Sequence, residues 1–533
     1  MQQIDRKQFE VIVNTNEILS DYHIITDVSM PLKNKAQVSF YKFTNCHFLN
    51  ANFILGTIPV SFINCTFEKL SWSLENYIGK VSFEDCKFLR FESHGNANVG
   101  EELVISGSST EIGNLVFSKV AFHTIIFDGI KRIDKATLDL QSQYFTLNNV
   151  DRVKNLTLKG QVTEEVVISK CNNFNFFVVD SLKGKRFDCS DSIDLTFELD
   201  SLEFKYVNFY RNKNLNISLN YVVADSVGLH EGDYHDVEIT HECNFNLVAS
   251  RDVFIRKLSL ASVHILKDKK IDIEDVSIQK LIFEGVHNEG LISITNCRIQ
   301  DLLRIVRTSV AKCNLSSMHL DKECRVDILD SNVSDVQFNS FKWNAKYRLF
   351  ENFDPKTEAS YKSKSDFQIA LRESYRQLKN NYQKNGNKIE ALEFQKNEMN
   401  IHYALLSEVR LSSLRNFGNY LIVGTNKWFS DFGQNIWKPL VWLFFSHLIV
   451  FNMILYFNDF PIEFARGPRT IDWSTTAEGV ALYFHTLLPT HPFVIPVKGT
   501  QGLSIIGFWD FASRVLSGYF IYYFISASRK YHQ

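Results

Sequence analysis

The chain runs to 533 residues and carries 58 Lys and Arg against 60 Asp and Glu, a formal net charge of −2. So balanced a chain has no global field to draw in a polyanion, and a nucleic acid would have to find a local site. Its nine cysteines (46, 65, 86, 171, 189, 243, 297, 313 and 324) form no CxxC pair and no His/Cys group at zinc-ligand spacing, which argues for reduced, packed thiols and against disulfides. Residues 1–50 show no basic start followed by an apolar run, so no secretory signal is expected, and nothing in the chain calls for a cofactor.

From about residue 38 to 345 one pattern recurs: an apolar-x-apolar strand, two polar residues, a Cys or other small residue, then an aromatic or aliphatic one. The clearest copies are VSFINCTF (60–67), VSFEDCKF (81–88), VVISKCNNF (166–174), LISITNCRI (291–299) and VDILDSNV (326–333). Cys46, Cys65 and Cys86 stand 19 and 21 residues apart, and Cys171 and Cys189 stand 18 apart. A period near 20 with strand alternation inside each copy predicts the coils of a parallel solenoid, none of which can bury its apolar face alone. The expected fold of residues 1–350 is a right-handed parallel β-helix of 14 to 15 coils, with phenylalanine, 45 residues in the chain, filling its core. Asn or Asp before the small residue predicts a tight corner, with Cys packed beneath its equivalent in the next coil. Residues 200–265 are poorly phased in this reading.

Solenoids of this kind include polysaccharide-cleaving enzymes, but no carboxylate cluster recurs here at coil spacing, so no enzymatic activity is expected. The stiff surface is better suited to binding. The first 350 residues hold 39 Lys and Arg against 45 Asp and Glu. The best local candidate for an anionic ligand interleaves cations with aromatics at Lys205, Tyr206, Tyr210, Arg211 and Lys213, with Lys183, Lys185 and Arg186 placed one coil away. Cations would meet phosphates and aromatics would stack on bases. The competing reading makes Phe209 core and the cations a solvated face.

Between Lys356 and Leu406 the pattern turns helical. Asp366–Asn385 carries Phe367, Leu371, Tyr375 and Leu378 on one stripe, and Asn387–Leu406 carries Ile389, Leu392, Phe394, Met399 and Tyr403 on another. The Asn385-Gly386 break between them predicts an αα-hairpin connector over 351–407, either a passive spacer or a rigid lever. Residues 408–435 alternate aromatics with Lys, Arg and Asn, as a helix at a membrane interface does.

The run 436–457 carries one Lys at its start and is long enough to cross a hydrocarbon core about 30 Å thick. A second apolar run, 503–527, ends in Ser528-Arg529-Lys530, and between them a shorter helical stretch, 476–488, opens with capping-box spacing at Thr475 and Glu478 and stops at Pro489. Span, half-length re-entrant helix, loop and span make a pore-loop layout, because irregular backbone at membrane depth survives only where protein or water covers it. Thr486, Thr490 and His491 fall at the end of the re-entrant helix. The loop LLPTHPFVIP has three prolines and no glycine, so it cannot build the carbonyl rings of a potassium filter. Asp510 and Arg514 stand at i, i+4 in the second span, either as an ion pair or with Arg514 facing a water-filled path; Gly518 is a hinge or a helix contact, and His447 reads as a satisfied interior polar group. Basic residues flank both spans on one side, which places both termini in the cytoplasm and the protein, as a two-span protein, in the inner membrane. Two spans cannot enclose a channel alone, so a homo-oligomer, a homotetramer, is expected.

The segments YRQLKNNYQKNGNKIEALEFQKNEM, FGQNIWKPLVWLF, ALYFHTLLPTHPF and FWDFASRVLSGYFIYYFISASRKY resemble the C-terminal half of bacterial repeat-containing membrane proteins with a two-span ion-channel-like module. Solenoid plus channel is similar in architecture to the channel effectors of Hailong-type antiphage systems. That resemblance implies a ligand-gated channel that depolarises the inner membrane, controlled by a single-stranded oligodeoxyadenylate or other nucleotide signal made by a partner nucleotidyltransferase. The competing expectation is a membrane-anchored scaffold whose solenoid recruits other proteins.

Overall fold

A computed structural model describes residues 2–15, 18–24, 28–32, 40–55, 57–74, 79–94, 100–310, 312–343, 349, 361–457, 480–481, 483–490 and 503–528. The chain divides into two compact units, Met1–Phe350 and Glu351–Gln533.

The first unit is a right-handed parallel β-solenoid of about 13 turns. The count is lower than 14 to 15 because several coils are longer than the cysteine spacings: Phe91 pairs with Leu115, and Leu303 with Val326. Corners set the architecture. In the five clearest copies a strand runs into Asn64, Asp85, Lys170, Asn296 or Asp330, each at positive φ, between 48° and 54°. Asn and Asp tolerate this left-handed conformation better than other side chains. The next residue (Cys65, Cys86, Cys171, Cys297 or Ser331) turns inward and is buried. Corner amides bond the coil above, as Asn45 N–H does to Ile63 O at 2.9 Å and Asn64 N–H to Glu84 O at 2.8 Å. Their side chains form a polar ladder outside, with Asn64 Nδ2 donating to Asn45 Oδ1 at 2.7 Å and Asn45 Nδ2 to Asp21 Oδ1 at 3.0 Å.

Inside, equivalent aromatics stack coil on coil. Phe43, Phe62 and Phe83 lie 4.8 and 4.9 Å apart, and Phe48, Phe67 and Phe88 lie 4.9 and 5.2 Å apart. Each buried ring contributes roughly 1.5–3 kcal/mol, and each stacked pair about 0.5–1.5 kcal/mol more. A helix that the repeat did not foreshadow, α1 (Arg6–Thr15), places Phe9 6.2 Å from both Phe43 and Phe48. It caps the exposed end of a core that stacking alone would leave wet. Contrary to the poor phasing of 200–265, strands Glu203–Tyr210, Lys213–Asn220 and Val223–Thr240 start ten residues apart, and paired positions such as Glu203 with Val223 and Lys213 with Asp233 stand one coil, 20 residues, apart.

In the second unit, α2 (Lys364–Lys384) and α3 (Lys388–Val409) form the αα-hairpin, each started by a side-chain cap, Ser363 and Asn387. Phe367, Leu371, Tyr375 and Leu378 are all buried. On α3 the buried apolar stripe is Ala391, Phe394, Ile401 and Leu406; of the expected stripe only Phe394 is buried, Leu392, Met399 and Tyr403 are partly buried, and Ile389, in the first turn, is exposed. Helix α4 (Leu414–Ser430) presents Leu414, Phe417, Leu421, Ile422 and Trp428 to the outside. Helices α5 (Trp437–Phe457) and α6 (Leu503–Ser528) fall where the two spans were expected, and they pack on each other. Among the described residues no helix is long and apolar enough to cross a membrane. The physical reason on α6 is its polar content: Asp510, Ser513, Arg514 and Ser517 interrupt the apolar run.

Candidate functional site

The expected ligand residues lie on the middle coils, where the strict interval places equal positions in columns. Lys183 pairs with Glu203 and Glu203 with Val223; Gly184 with Phe204 and Phe204 with Ala224; Arg186 with Tyr206 and Tyr206 with Ser226. Successive coils are about 4.8 Å apart, so these columns form ridges along the solenoid axis. Between the ridges runs a groove of about 500 Å³ lined by Lys183, Lys185, Lys205 and Lys269, with Glu203, Val223 and Asp225 among them and the buried Phe204 and Ala224 beneath. Gly184 lies where neighbouring coils approach too closely for a side chain. A Cβ there would meet Val162 O at 2.3 Å and Phe204 Cε1 at 2.7 Å.

The eight residues chosen from sequence are thus divided. Lys183, Lys185 and Lys205 line the groove, and Arg186 and Tyr206 pair in one column. Tyr210 lies further along its strand, stacked on His230 at 4.8 Å and 14°. Arg211 occupies a left-handed corner, and Lys213 opens the following strand, opposite Ile193 and Asp233. Most of the cations face a carboxylate. Lys183 pairs with Glu203, Lys185 with Glu164 at 2.7 Å, Arg186 with Asp188 at 2.7 Å and Glu165 at 3.7 Å, and Arg211 forks onto Asp191 at 2.7 and 2.9 Å. Lys205 sets its ammonium 5.3 Å over the Tyr206 ring. The Arg211 guanidinium holds the Asp191 carboxyl below the usual carboxylate range, and hydrogen bonding to Asp188 raises Arg186. An anionic ligand has to exchange these partners for its own oxygens, so the groove suits a short, locally matched anion rather than one gathered by a broad field. The groove was missed in sequence because Lys269 arrives from a later coil and because Gly184 is set by a close approach between coils that its own chemistry does not announce.

Of the expected pore residues, Thr486 joins a second cluster, built around His447. His447 is buried, its Nδ1 3.0 Å from Ser513 Oγ and its Nε2 3.2 Å from both Thr486 Oγ1 and Tyr483 O, as a satisfied interior group would be. Tyr483 donates to Phe444 O at 2.9 Å. Arg514 Nε donates to Asp510 Oδ2 at 2.9 Å along one helix, with Asp510 buried and Arg514 partly exposed. Among the described residues no atom outside its own stretch of helix lies within 4 Å of a Cβ placed at Gly518, so within them it makes no close helix contact. Thr490 is exposed; His491, the capping box at Thr475 and the rest of the proline loop lie outside the described residues.

The fold and site together define a β-solenoid with an appended helical unit. No protein-family model, curated protein or solved structure matches the chain.

Proposed function

We propose that the chain is the subunit of a homo-oligomeric, ligand-gated ion channel, in which the solenoid binds the ligand and α5, the short helix around Tyr483 to Leu487, and α6 build the pore in a membrane. One observation carries this reading: α5 and α6 bury polar groups between them while exposing large apolar side chains. Val441, Phe445, Leu448 and Ile449 of α5 and Phe508, Phe511, Val515, Tyr522 and Ile525 of α6 are exposed, while His447, Thr486, Asp510, Ser513 and Ser517 are buried. Water does not favour so much exposed aliphatic and aromatic surface, and lipid does. Of the polar residues that lower the hydropathy of α6, Asp510, Ser513 and Ser517 are buried within the protomer and Arg514 is partly exposed, so Arg514 is the one placed to meet a water path.

The ligand assigned to the groove is a short nucleotide or oligonucleotide held by Lys183, Lys185, Lys205 and Lys269. Single-stranded oligodeoxyadenylate is the form that the resemblance to antiphage effectors implies, with membrane depolarisation as the output. Reconstitution of the full-length protein in liposomes with a potential-sensitive dye tests the reading. Ion flux that changes on adding short oligodeoxyadenylate is expected; liposomes that remain tight under every condition would overturn the channel. The second reading, a membrane-anchored scaffold, is favoured by the ion-paired state of the groove cations, which leaves a solvated face fit for a protein partner. Tight liposomes together with a stable protein complex on the solenoid would select it.

A further inference from the structure

Beyond the groove, the solenoid carries a separate three-stranded ladder of His264–Ile265, His287–Asn288 and Ser309–Val310, in which His264 lies directly opposite His287. The two rings belong to successive coils. Their centroids are 4.9 Å apart and the planes cross at 64°. Two residues further on, Glu289 places one carboxylate oxygen, Oε1, 3.6 Å from the Nε2 of His264 and 3.6 Å from the Nε2 of His287. The three donor atoms all lie within 4.8 Å of one another, and all three side chains are exposed. The backbone builds this presentation: Glu289 N–H bonds Ile265 O at 2.9 Å, and the turn closes on Gly290, where a Cβ would come within 2.4 Å of both Leu266 O and Lys269 O.

Two imidazole nitrogens and a carboxylate oxygen converging on one point are the donor set of a transition-metal site, not of an alkaline-earth site, which is all oxygen. Zinc takes nitrogen and oxygen donors at about 2.0–2.2 Å, so two donors on one tetrahedral ion stand roughly 3.3–3.5 Å apart. The nitrogen-to-oxygen separations are already within a few tenths of an ångström of that range, and exposed rings can turn without disturbing the core. We infer that His264, His287 and Glu289 bind one divalent transition-metal ion, zinc before others, with the fourth tetrahedral position left to water. The ion would join two coils of the solenoid and so stabilise the stack in proportion to its binding free energy. The motif is invisible as a zinc signature in sequence because the coil, not a turn, brings the histidines together.

The test uses full-length, tag-free protein in detergent and Zn²⁺ or Co²⁺ alone as the probe. Competition against a chromogenic chelator is expected to give one tight Zn²⁺ per chain, and Co²⁺ the visible absorption of a tetrahedral site. His264→Gln with His287→Gln should abolish both signals, and Glu289→Gln should weaken Zn²⁺ by at least the tenfold that even outer partners of metal ligands are worth. Added Zn²⁺ should raise the melting temperature of the wild type and leave the double variant unmoved; unchanged circular dichroism would show that the exposed substitutions preserve the fold. Equal Zn²⁺ affinity and stoichiometry in wild type and double variant, or no saturable binding in the wild type, overturns the site.

Discussion

At the scale of the residue, the left-handed corners decide what the chain tolerates. Asn45, Asn64, Asp85 and Asn296 were legible because their side chains favour that conformation. Lys170, Arg211, Tyr221 and His241 adopt it as well, and nothing in their chemistry announces it. The middle coils were therefore hard to phase in sequence although they are regular in structure. Since left-handed backbone costs an ordinary residue about 1–2 kcal/mol, Lys170→Asn should stabilise the solenoid by up to about 1 kcal/mol, seen as a higher urea midpoint. A lower midpoint would contradict this account of the corner. The inward neighbours behave in the opposite way. Burial pushes the thiols of Cys171, Cys313 and Cys324 up to about 12 and those of Cys243 and Cys297 up to about 11. All nine cysteines are buried and free. A maleimide at neutral pH should label none of them in the folded protein and all nine in guanidinium, counted by mass spectrometry.

At the scale of the element, several strands are tied to their neighbours by cross-coil ion pairs. Arg211 on Asp191, Lys159 on Asp180 and Arg298 on Asp321 each hold the carboxyl below its ordinary value. A carboxyl whose folded value is depressed adds stability that is fully present above the unfolded value, about 3.9, and is lost as pH falls through the folded one. The melting temperature should thus stay level from pH 7 to about pH 5 and fall below pH 4. Each pair is solvent-exposed and contributes little alone. Arg211→Ala should accordingly lower the melting temperature slightly at pH 7 and not at all near pH 2, an ordering that scanning calorimetry would check. The αα-hairpin was legible from its stripe and its Asn385-Gly386 break, since two capped amphipathic helices have few other ways to pack. Helix α1 was not, because its role is set by the core it covers, which is a property of the stacked coils and not of its own ten residues.

At the scale of the molecule, the proposal rests on how α5 and α6 share polar and apolar surface, and the pair Asp510 and Arg514 separates its two roles. Spacing alone left open whether the arginine serves the helix or a water path. The 2.9 Å bond along α6 gives it a partner, yet the arginine side chain is 32% exposed whereas the aspartate is 6% exposed. Removing the arginine leaves a buried carboxylate short of its cation. For a fully buried pair that costs roughly 3–5 kcal/mol, and a partly exposed arginine should cost less. Arg514→Gln should then loosen the helix pair, seen as a lower melting temperature and less oligomer by native mass spectrometry in detergent. Asp510→Asn added to it should restore much of the loss, since the stranded charge is gone. If Arg514 also lines a water path, the double variant, reassembled and reconstituted, should conduct with a preference shifted away from anions, read as a change in reversal potential. A double variant that assembles and conducts like the wild type would confine Arg514 to the ion pair; one that never reassembles would show that the pair itself, and not only the stranded charge, decides whether the helices hold together.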